Sequence, residues 1–255
     1  MRTRIKFCGM TRSEDIAAAV AAGADAIGMI FYPKSKRCID VAQAARLRRA
    51  VPAFVDVVAL VVNATEEEVR RIIGEVGPDL LQFHGDETPA DCRVYGHRYM
   101  RALRVGGPGM DSAAALAATC ATYGDAAGWL FDSYTSGFGG SGLAFDHHLL
   151  DDVRKASVAA ACGAMGSVRG AAMGSHGGAT GSVSGAAAAS TDVAACVSVP
   201  LILSGGLTPE NVEASVRTVR PYAVDVSSGL ESSPGIKVHD KMRAFVDAVR
   251  RADGT

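Results

Sequence analysis

The chain has 255 residues, 48% of them hydrophobic, and a formal net charge of −1. That length can bury a full core and fits one barrel-sized domain, while the balanced charge gives no general attraction to nucleic acid or to a membrane surface. No apolar run is long enough to span a bilayer, and the N-terminus, MRTRIKFCGMT, lacks the apolar core of a signal peptide. The six cysteines (8, 38, 92, 120, 162 and 196) show no CxxC and no paired spacing, which argues against a disulfide framework or a zinc site and fits a reducing cytoplasm.

Strand-like and helix-like segments alternate along the chain. Strands are predicted over 5–8, 26–31, 55–62, 80–84, 100–105, 129–132, 201–203 and 223–226. Each is followed by a predicted helix, over 14–22, 41–50, 66–74, 89–95, 111–121, 145–154, 209–219 and 240–250. Near-continuous apolar strands alternating with helices mean a parallel sheet covered by helices. Eight such units at this length favour an α/β fold closed into a single (β/α)8 TIM barrel over 1–255. One segment breaks the rhythm. Residues 156–190 contain 12 Ala, 8 Gly and 6 Ser, and Arg169 is their one charge. We read this low-complexity stretch as a flexible insertion between helix 6 and strand 7, on the face of the barrel away from the active site.

Two turns stand out at the ends of strands seven and eight. Ser204-Gly205-Gly206 follows the first and Ser227-Ser228-Gly229 the second. Glycine lets backbone approach a ligand closely, and free N–H groups at such turns hold anions. In (β/α)8 barrels a phosphate site commonly lies after these two strands. The helix between them is expected to start at Thr208-Pro209-Glu210, with Thr as N-cap and Pro at the first helical position. The Gly-rich run at 137–142 adds either a third wall to that site or a mobile lid.

Other residues near predicted strand ends can carry chemistry. Cys8 ends strand one, as a small buried hydrophobe or as a thiol aimed into the mouth. Lys6 shares its face, and a nearby ammonium favours thiolate. Asp132 ends strand six, as a cap, an ion-pair partner or an acid at the mouth. Arg37 closes the basic loop Lys34-Ser35-Lys36-Arg37, either solvated or gripping a carboxylate with its planar fork. Asp225 lies on strand eight, beside strand one in a closed barrel, so Lys6 and Asp225 are expected to pair. His84, after Gln82, faces the same mouth and reads as a satisfied polar residue.

Together these blocks resemble the phosphoribosylanthranilate isomerase family of tryptophan biosynthesis: KFCGMT at 6–11, GADAIGMIFYPKSKR at 23–37, LLQFHGDE at 80–87, the FDS, GGSG and FD pieces of 131–146, LSGGLTPENV at 203–212 and VRPYAVDVSSGLESSPGIK at 219–237. The resemblance implies a (β/α)8 barrel that isomerises N-(5-phosphoribosyl)anthranilate to 1-(o-carboxyphenylamino)-1-deoxyribulose 5-phosphate with neither metal nor organic cofactor. It implies a cytoplasmic monomer or homodimer whose partner is a phosphorylated small molecule. It implies Asp132 as general acid, Cys8 as general base, and Arg37 on the anthranilate carboxylate. The backbone around Gly205, Gly206, Ser228 and Gly229 would then hold the phosphate, with Gly140 and Gly142 nearby.

Three features depart from the family's pattern: His147 in place of a Trp, Val238 in place of an Asp, and the Ala/Gly/Ser insertion. Two other readings compete. A related aldose–ketose isomerase of the histidine pathway would pair two aspartates, which Cys8 argues against, and a non-catalytic phosphate binder would not need Cys8, Asp132 and Arg37 together. Excision of 156–190 is expected to leave turnover near normal; a large loss of kcat in a folded deletion variant would put the insertion on the active face.

Overall fold

The eight apolar strands close on themselves. In the computed structural model, which describes residues 2–134, 145–153 and 199–254, they form one parallel ring in which β8 pairs back onto β1. The elements are β1 (Arg4–Phe7), α1 (Ser13–Ala22), β2 (Ala26–Ile30), α2 (Val41–Arg48), β3 (Asp56–Val61), α3 (Glu66–Val76), β4 (Leu80–Phe83), α4 (Pro89–Arg93), β5 (Tyr99–Val105) and α5 (Ala113–Thr122). There follow β6 (Gly128–Ser133), a 3-10 turn (His147–Leu150), β7 (Leu201–Leu203), α6 (Val212–Val219), β8 (Ala223–Val226) and α7 (His239–Asp253).

Strand period 2 sorts the side chains. Outward-facing residues such as Phe7, Phe83, Trp129 and Phe131 are buried beneath the helices. Inward-facing Val58, Leu80, Met100, Ala102, Leu130, Ile202 and Ala223 fill the lower barrel as a dry plug. One inward step further along the strands, the pattern turns polar with Lys6, Gln82, Asp132, Ser204 and Asp225. The plug therefore forms a floor, and the polar layer stands on it at the C-terminal ends of the strands, the face on which barrel enzymes carry their chemistry.

Three local expectations change. The N-cap moves from Thr208 to Asn211; Thr208 closes the turn ahead of the helix, its Oγ1 accepting from the Glu210 N–H at 3.3 Å and its carbonyl from Val212 N–H at 3.1 Å. The regular helix begins only at Val212, because Asn211 folds back, accepting from Thr208 N–H at 2.8 Å and donating to the Gly206 carbonyl at 2.8 Å. The predicted sixth helix starts as the 3-10 turn, and its end lies outside the described residues, as do the insertion at 156–190 and the Gly-rich run with Gly140 and Gly142. The stretch after β8, to which the strand–helix pattern assigns no element, carries an antiparallel hairpin of β9 (Glu231–Ser233) and β10 (Ile236–Lys237).

The departures are accommodated differently. His147 packs edge-on against Phe145, with ring centroids 5.3 Å apart, and burial holds its imidazole below the usual histidine range. Val238 is the N-cap residue of α7 and supplies no side-chain acceptor to the helix start. Val238→Asp should therefore stabilise the fold by about 1 kcal/mol, the usual worth of an N-cap acceptor, read as an increase in the urea midpoint with an unchanged slope.

Candidate active site

β1 delivers Lys6 and, just past its end, Cys8 to the polar layer. Lys6 stands in register with Asp225, and its Nζ donates to Asp225 Oδ1 at 2.8 Å, so the expected pair is present. Both side chains are almost fully buried, at 5% and 7% exposure. The space beside them is tight. A Cβ added to Gly28 of β2 would lie 2.8 Å from Cys8 Sγ and 3.0 Å from Lys6 Nζ. Glycine is needed at 28 because thiol and ammonium occupy that volume.

The electrostatics correct one expectation. Burial works against the Lys6 charge, but the ion pair and hydrogen bond with Asp225 outweigh it and keep Lys6 protonated. Burial also pushes the Cys8 thiol up, and the pull of Lys6 and, more weakly, Lys237 does not reverse it. Cys8 therefore rests as a neutral thiol rather than one poised just below its ordinary value.

Asp132 enters the cavity from β6, three strands from β1 around the ring. Its Oδ1 accepts from the Ser133 N–H at 2.9 Å, while its Oδ2 lies 3.3 Å from His84 Nε2. His84 Nδ1 in turn meets Gln82 Nε2 at 3.2 Å. His84 is thus not simply satisfied within the protein, since Nε2 is buried without a well-formed hydrogen bond. Behind it, the buried Arg101 donates to the carbonyls of Phe83 and Gly85 and to Glu87, clamping the chain on both sides of His84.

The two Ser/Gly turns touch. Gly205 and Gly206 adopt left-handed backbone, with φ of 87° and 65°. A Cβ on Gly229 would sit 2.0 Å from the Leu207 carbonyl oxygen, so the second turn is pressed directly onto the first. A Cβ on Gly205 would lie 2.4 Å from Ser133 Oγ, which ties the same turn to the end of β6. The N–H groups of Gly205, Gly206, Ser228 and Gly229 meet no acceptor among the described residues. Four free donors around two touching turns form the kind of backbone concavity that binds an anion.

Arg37 lines the cavity but is not a free fork. Its Nε and Nη2 grip Glu231 at 2.7–3.1 Å, leaving Nη1 without a partner among the described residues. Glu231 also pairs with Lys237 Nζ at 2.8 Å, and that ammonium donates to the Cys8 carbonyl at 2.7 Å and the Ser227 carbonyl at 3.1 Å. Burial alone would raise the Glu231 carboxyl, yet Arg37 and Lys237 hold it below its usual range. Burial lowers Lys237 despite Glu231. Sequence reasoning missed Glu231 and Lys237; the only available signal was two charged residues flanking a Ser-Ser-Pro-Gly turn.

These groups surround a cavity of about 400 Å³ lined by Cys8, Arg37, His84, Asp132, both turns and an apolar wall of Ile30, Leu60 and Val62. A polar cavity over a dry plug, ringed by strand ends, with a concavity of free backbone N–H groups after strands seven and eight, has the layout of a (β/α)8-barrel enzyme. The family model described as N-(5'phosphoribosyl)anthranilate (PRA) isomerase matches residues 5–168 and 178–248. The chain belongs to that family. An N-(5'-phosphoribosyl)anthranilate isomerase of Bordetella pertussis is 53% identical over 253 residues, covering 99% of this chain and 98% of the relative. One from Pseudomonas fluorescens SBW25 is 42% identical, covering 98% and 97%. The family model leaves out residues 169–177, which lie inside the Ala/Gly/Ser segment. Among solved structures, the phosphoribosyl anthranilate isomerase of Thermotoga maritima aligns with a TM-score of 0.74 at 31% identity, over 98% of this chain and 99% of that one. A structure of the enzyme in complex with reduced 1-(o-carboxyphenylamino)-1-deoxyribulose 5-phosphate aligns at 0.71 and 29%, with the same coverage.

The state of Cys8 is directly testable. A raised thiol value leaves little thiolate at neutral pH, so alkylation of Cys8 by iodoacetamide, followed by peptide mass spectrometry, should accelerate steadily with pH and not level off until above about pH 8.5. A plateau already reached near pH 7 would mean the thiolate is the resting form.

Proposed function

We propose that this chain catalyses the Amadori rearrangement of N-(5-phosphoribosyl)anthranilate to 1-(o-carboxyphenylamino)-1-deoxyribulose 5-phosphate, a step of tryptophan biosynthesis. The observation that carries the reading is one cavity flanked by Asp132 of β6 and Cys8 at the end of β1, with touching Ser/Gly turns beside it. Asp132 protonates the furanose ring oxygen. The C1′–O bond breaks toward that oxygen, and the nitrogen lone pair forms a C1′=N⁺ cation. Cys8, as thiolate, then takes the C2′ proton. The C–H electron pair becomes a C1′=C2′ bond and the nitrogen recovers its lone pair, giving an enolamine that tautomerises to the ketone. C1′ is reduced and C2′ oxidised within one molecule, so the balance needs no external oxidant or reductant.

A resting thiol must first release its own proton to solvent in the cavity that Cys8 lines, and only then act as thiolate. The cation forms beside Cys8, and an opposite charge within a few ångströms favours thiolate. The iminium also acidifies the C2′ proton, so a modest base suffices. The phosphate fits the N–H groups of Gly205, Gly206, Ser228 and Gly229; Gly140 and Gly142, which the family resemblance assigns to the same site, lie outside the described residues. The anthranilate ring fits the apolar wall of Ile30, Leu60 and Val62, and its carboxylate fits Arg37 Nη1, whose guanidinium Glu231 already holds in place. This biosynthetic chemistry suits the cytoplasm, and no helix among the described residues is long and apolar enough to cross a membrane. We read the assembly as monomer or homodimer, without metal or organic cofactor.

Turnover of freshly made phosphoribosylanthranilate, followed by loss of its fluorescence, tests the reading, and a folded protein without turnover would defeat it. Asp132→Asn and Cys8→Ala should each cut kcat by about 100-fold or more with little change in substrate binding, because proton transfer acts in the transition state. Arg37→Ala should chiefly raise KM, by about 10- to 100-fold for a lost charge-assisted contact. Equal and mild losses in all three would overturn the role assignments.

A further inference from the structure

Asp132 needs its proton on a defined oxygen and a way to hold the charge left behind. Its two oxygens are dressed differently. Oδ1 already accepts from the Ser133 N–H at 2.9 Å, so the acid's proton belongs on Oδ2. Oδ2 faces His84 Nε2 at 3.3 Å. That ring nitrogen is buried on a residue only 6% exposed and makes no well-formed hydrogen bond among the described residues. The opposite ring nitrogen, Nδ1, is occupied: Gln82 Nε2 stands 3.2 Å away, and the fully buried Gln82 leaves its amide oxygen without a partner among the described residues. An imidazole that accepts at Nδ1 carries its proton on Nε2 when neutral. The main chain that carries the ring is held, because Arg101 donates to the carbonyls on both sides of His84, Phe83 at 3.1 Å and Gly85 at 2.9 Å, and pairs with Glu87 at 3.0 Å.

We infer that His84 is a positioning residue for Asp132: held by Gln82 as the Nε2–H tautomer, it donates to Oδ2, turns the acid's O–H into the cavity and receives the carboxylate as the proton leaves. This rests on the reading of Asp132 as the general acid. With both donors in place, each carboxyl oxygen has an N–H partner at the moment charge develops. The Nε2–Oδ2 separation is long in the free protein, as catalytic hydrogen bonds often are before substrate arrives. Donors that strengthen only as charge appears act on the transition state and not on binding. His84 would therefore affect kcat and leave KM almost untouched. The opposite tautomer, Nδ1–H against the Gln82 amide oxygen, would present a bare lone pair to Asp132 and compete for the very proton the reaction uses.

The test combines kinetics with nitrogen-15 NMR. His84→Leu removes the donor and should lower kcat by about 10- to 100-fold, the worth of a hydrogen bond to a charged group, at nearly constant KM. His84→Gln keeps an N–H near the Nε2 position and should recover kcat to within about fivefold of wild type. In an Asp132→Asn background, His84→Leu should cost nothing further, since the residue acts only through the acid. A kcat loss that adds to that of Asp132→Asn, or a loss borne by KM, would overturn the inference and make His84 a substrate contact. If Asp132→Asn itself keeps wild-type kcat, the acid assignment has failed instead. The imidazole nitrogen spectrum of the unmodified enzyme, with His84 assigned by its disappearance in His84→Gln, should show the neutral Nε2–H form; the Nδ1–H form would overturn the inference even if the leucine variant did not fold.

Discussion

A buried ammonium, Lys6, paired with a buried carboxylate, Asp225, is the constraint on which the rest of this molecule depends. The pair joins the first strand to the last, so it sits on the seam that closes the barrel. Removing either partner would leave an unpaired buried charge, an error that typically costs about 3–5 kcal/mol. The same ammonium also touches the thiol of Cys8, and together they exclude a side chain from position 28. Closure of the fold and the electrostatics of the proposed base are therefore one feature. Stability and proton chemistry cannot vary independently at Lys6.

A second charge cluster organises the rim. Glu231 is shared by Arg37 and Lys237, and Lys237 also binds the carbonyls after β1 and β8. The backbone of Lys237 and the His239 ring both reach the fully buried Asp15 of α1, which Arg12 holds from the other side. Burial would raise the Asp15 carboxyl, but Arg12, His239 and the Lys237 N–H overcome it and keep it ionised. A chain of contacts thus runs from the loop bearing Arg37 through the β9–β10 hairpin to α1. Arg37 is held in its place before any ligand arrives, and pre-organisation of that kind reduces the ordering cost of binding.

Much of this was legible in the sequence because it rests on periodicity. Strand period 2 and the adjacency of first and last strands in a closed ring were enough to pair Lys6 with Asp225. Apolar strands ending in Ser and Gly were enough to bring the turns at 204–206 and 227–229 together. Other features leave no periodic trace. The hairpin carrying Glu231 and Lys237 has strands of three and two residues, too short to show alternation. The contact between His84 and Asp132 links β4 to β6 across an intervening strand, a distance set by barrel curvature. The direction of the Cys8 shift depends on depth of burial outweighing a neighbouring ammonium, and depth belongs to packing. Helix α6 starts late because Asn211 bonds back to Gly206, a competition between side chain and helix that propensity alone does not resolve.

The neutral resting state of Cys8 gives the proposed chemistry its order. A permanent thiolate beside Lys6 would already spend the attraction of that ammonium in the ground state, and tighter ground-state stabilisation does nothing for kcat. With burial opposing the charge, the thiolate is costly until a second cation stands next to it, and the cation that qualifies is the one produced when Asp132 gives up its proton. Acid and base are thereby coupled through the substrate instead of through the protein. Base strength appears at C2′ only after the ring has opened, when the C2′ proton has become acidic. The fixed groups then have separate tasks. In the proposed reaction the Ser/Gly turns and Arg37 would hold the two anionic ends, Lys6 would lower the cost of the thiolate, and the donors around Asp132 would hold the carboxylate that ring opening leaves behind.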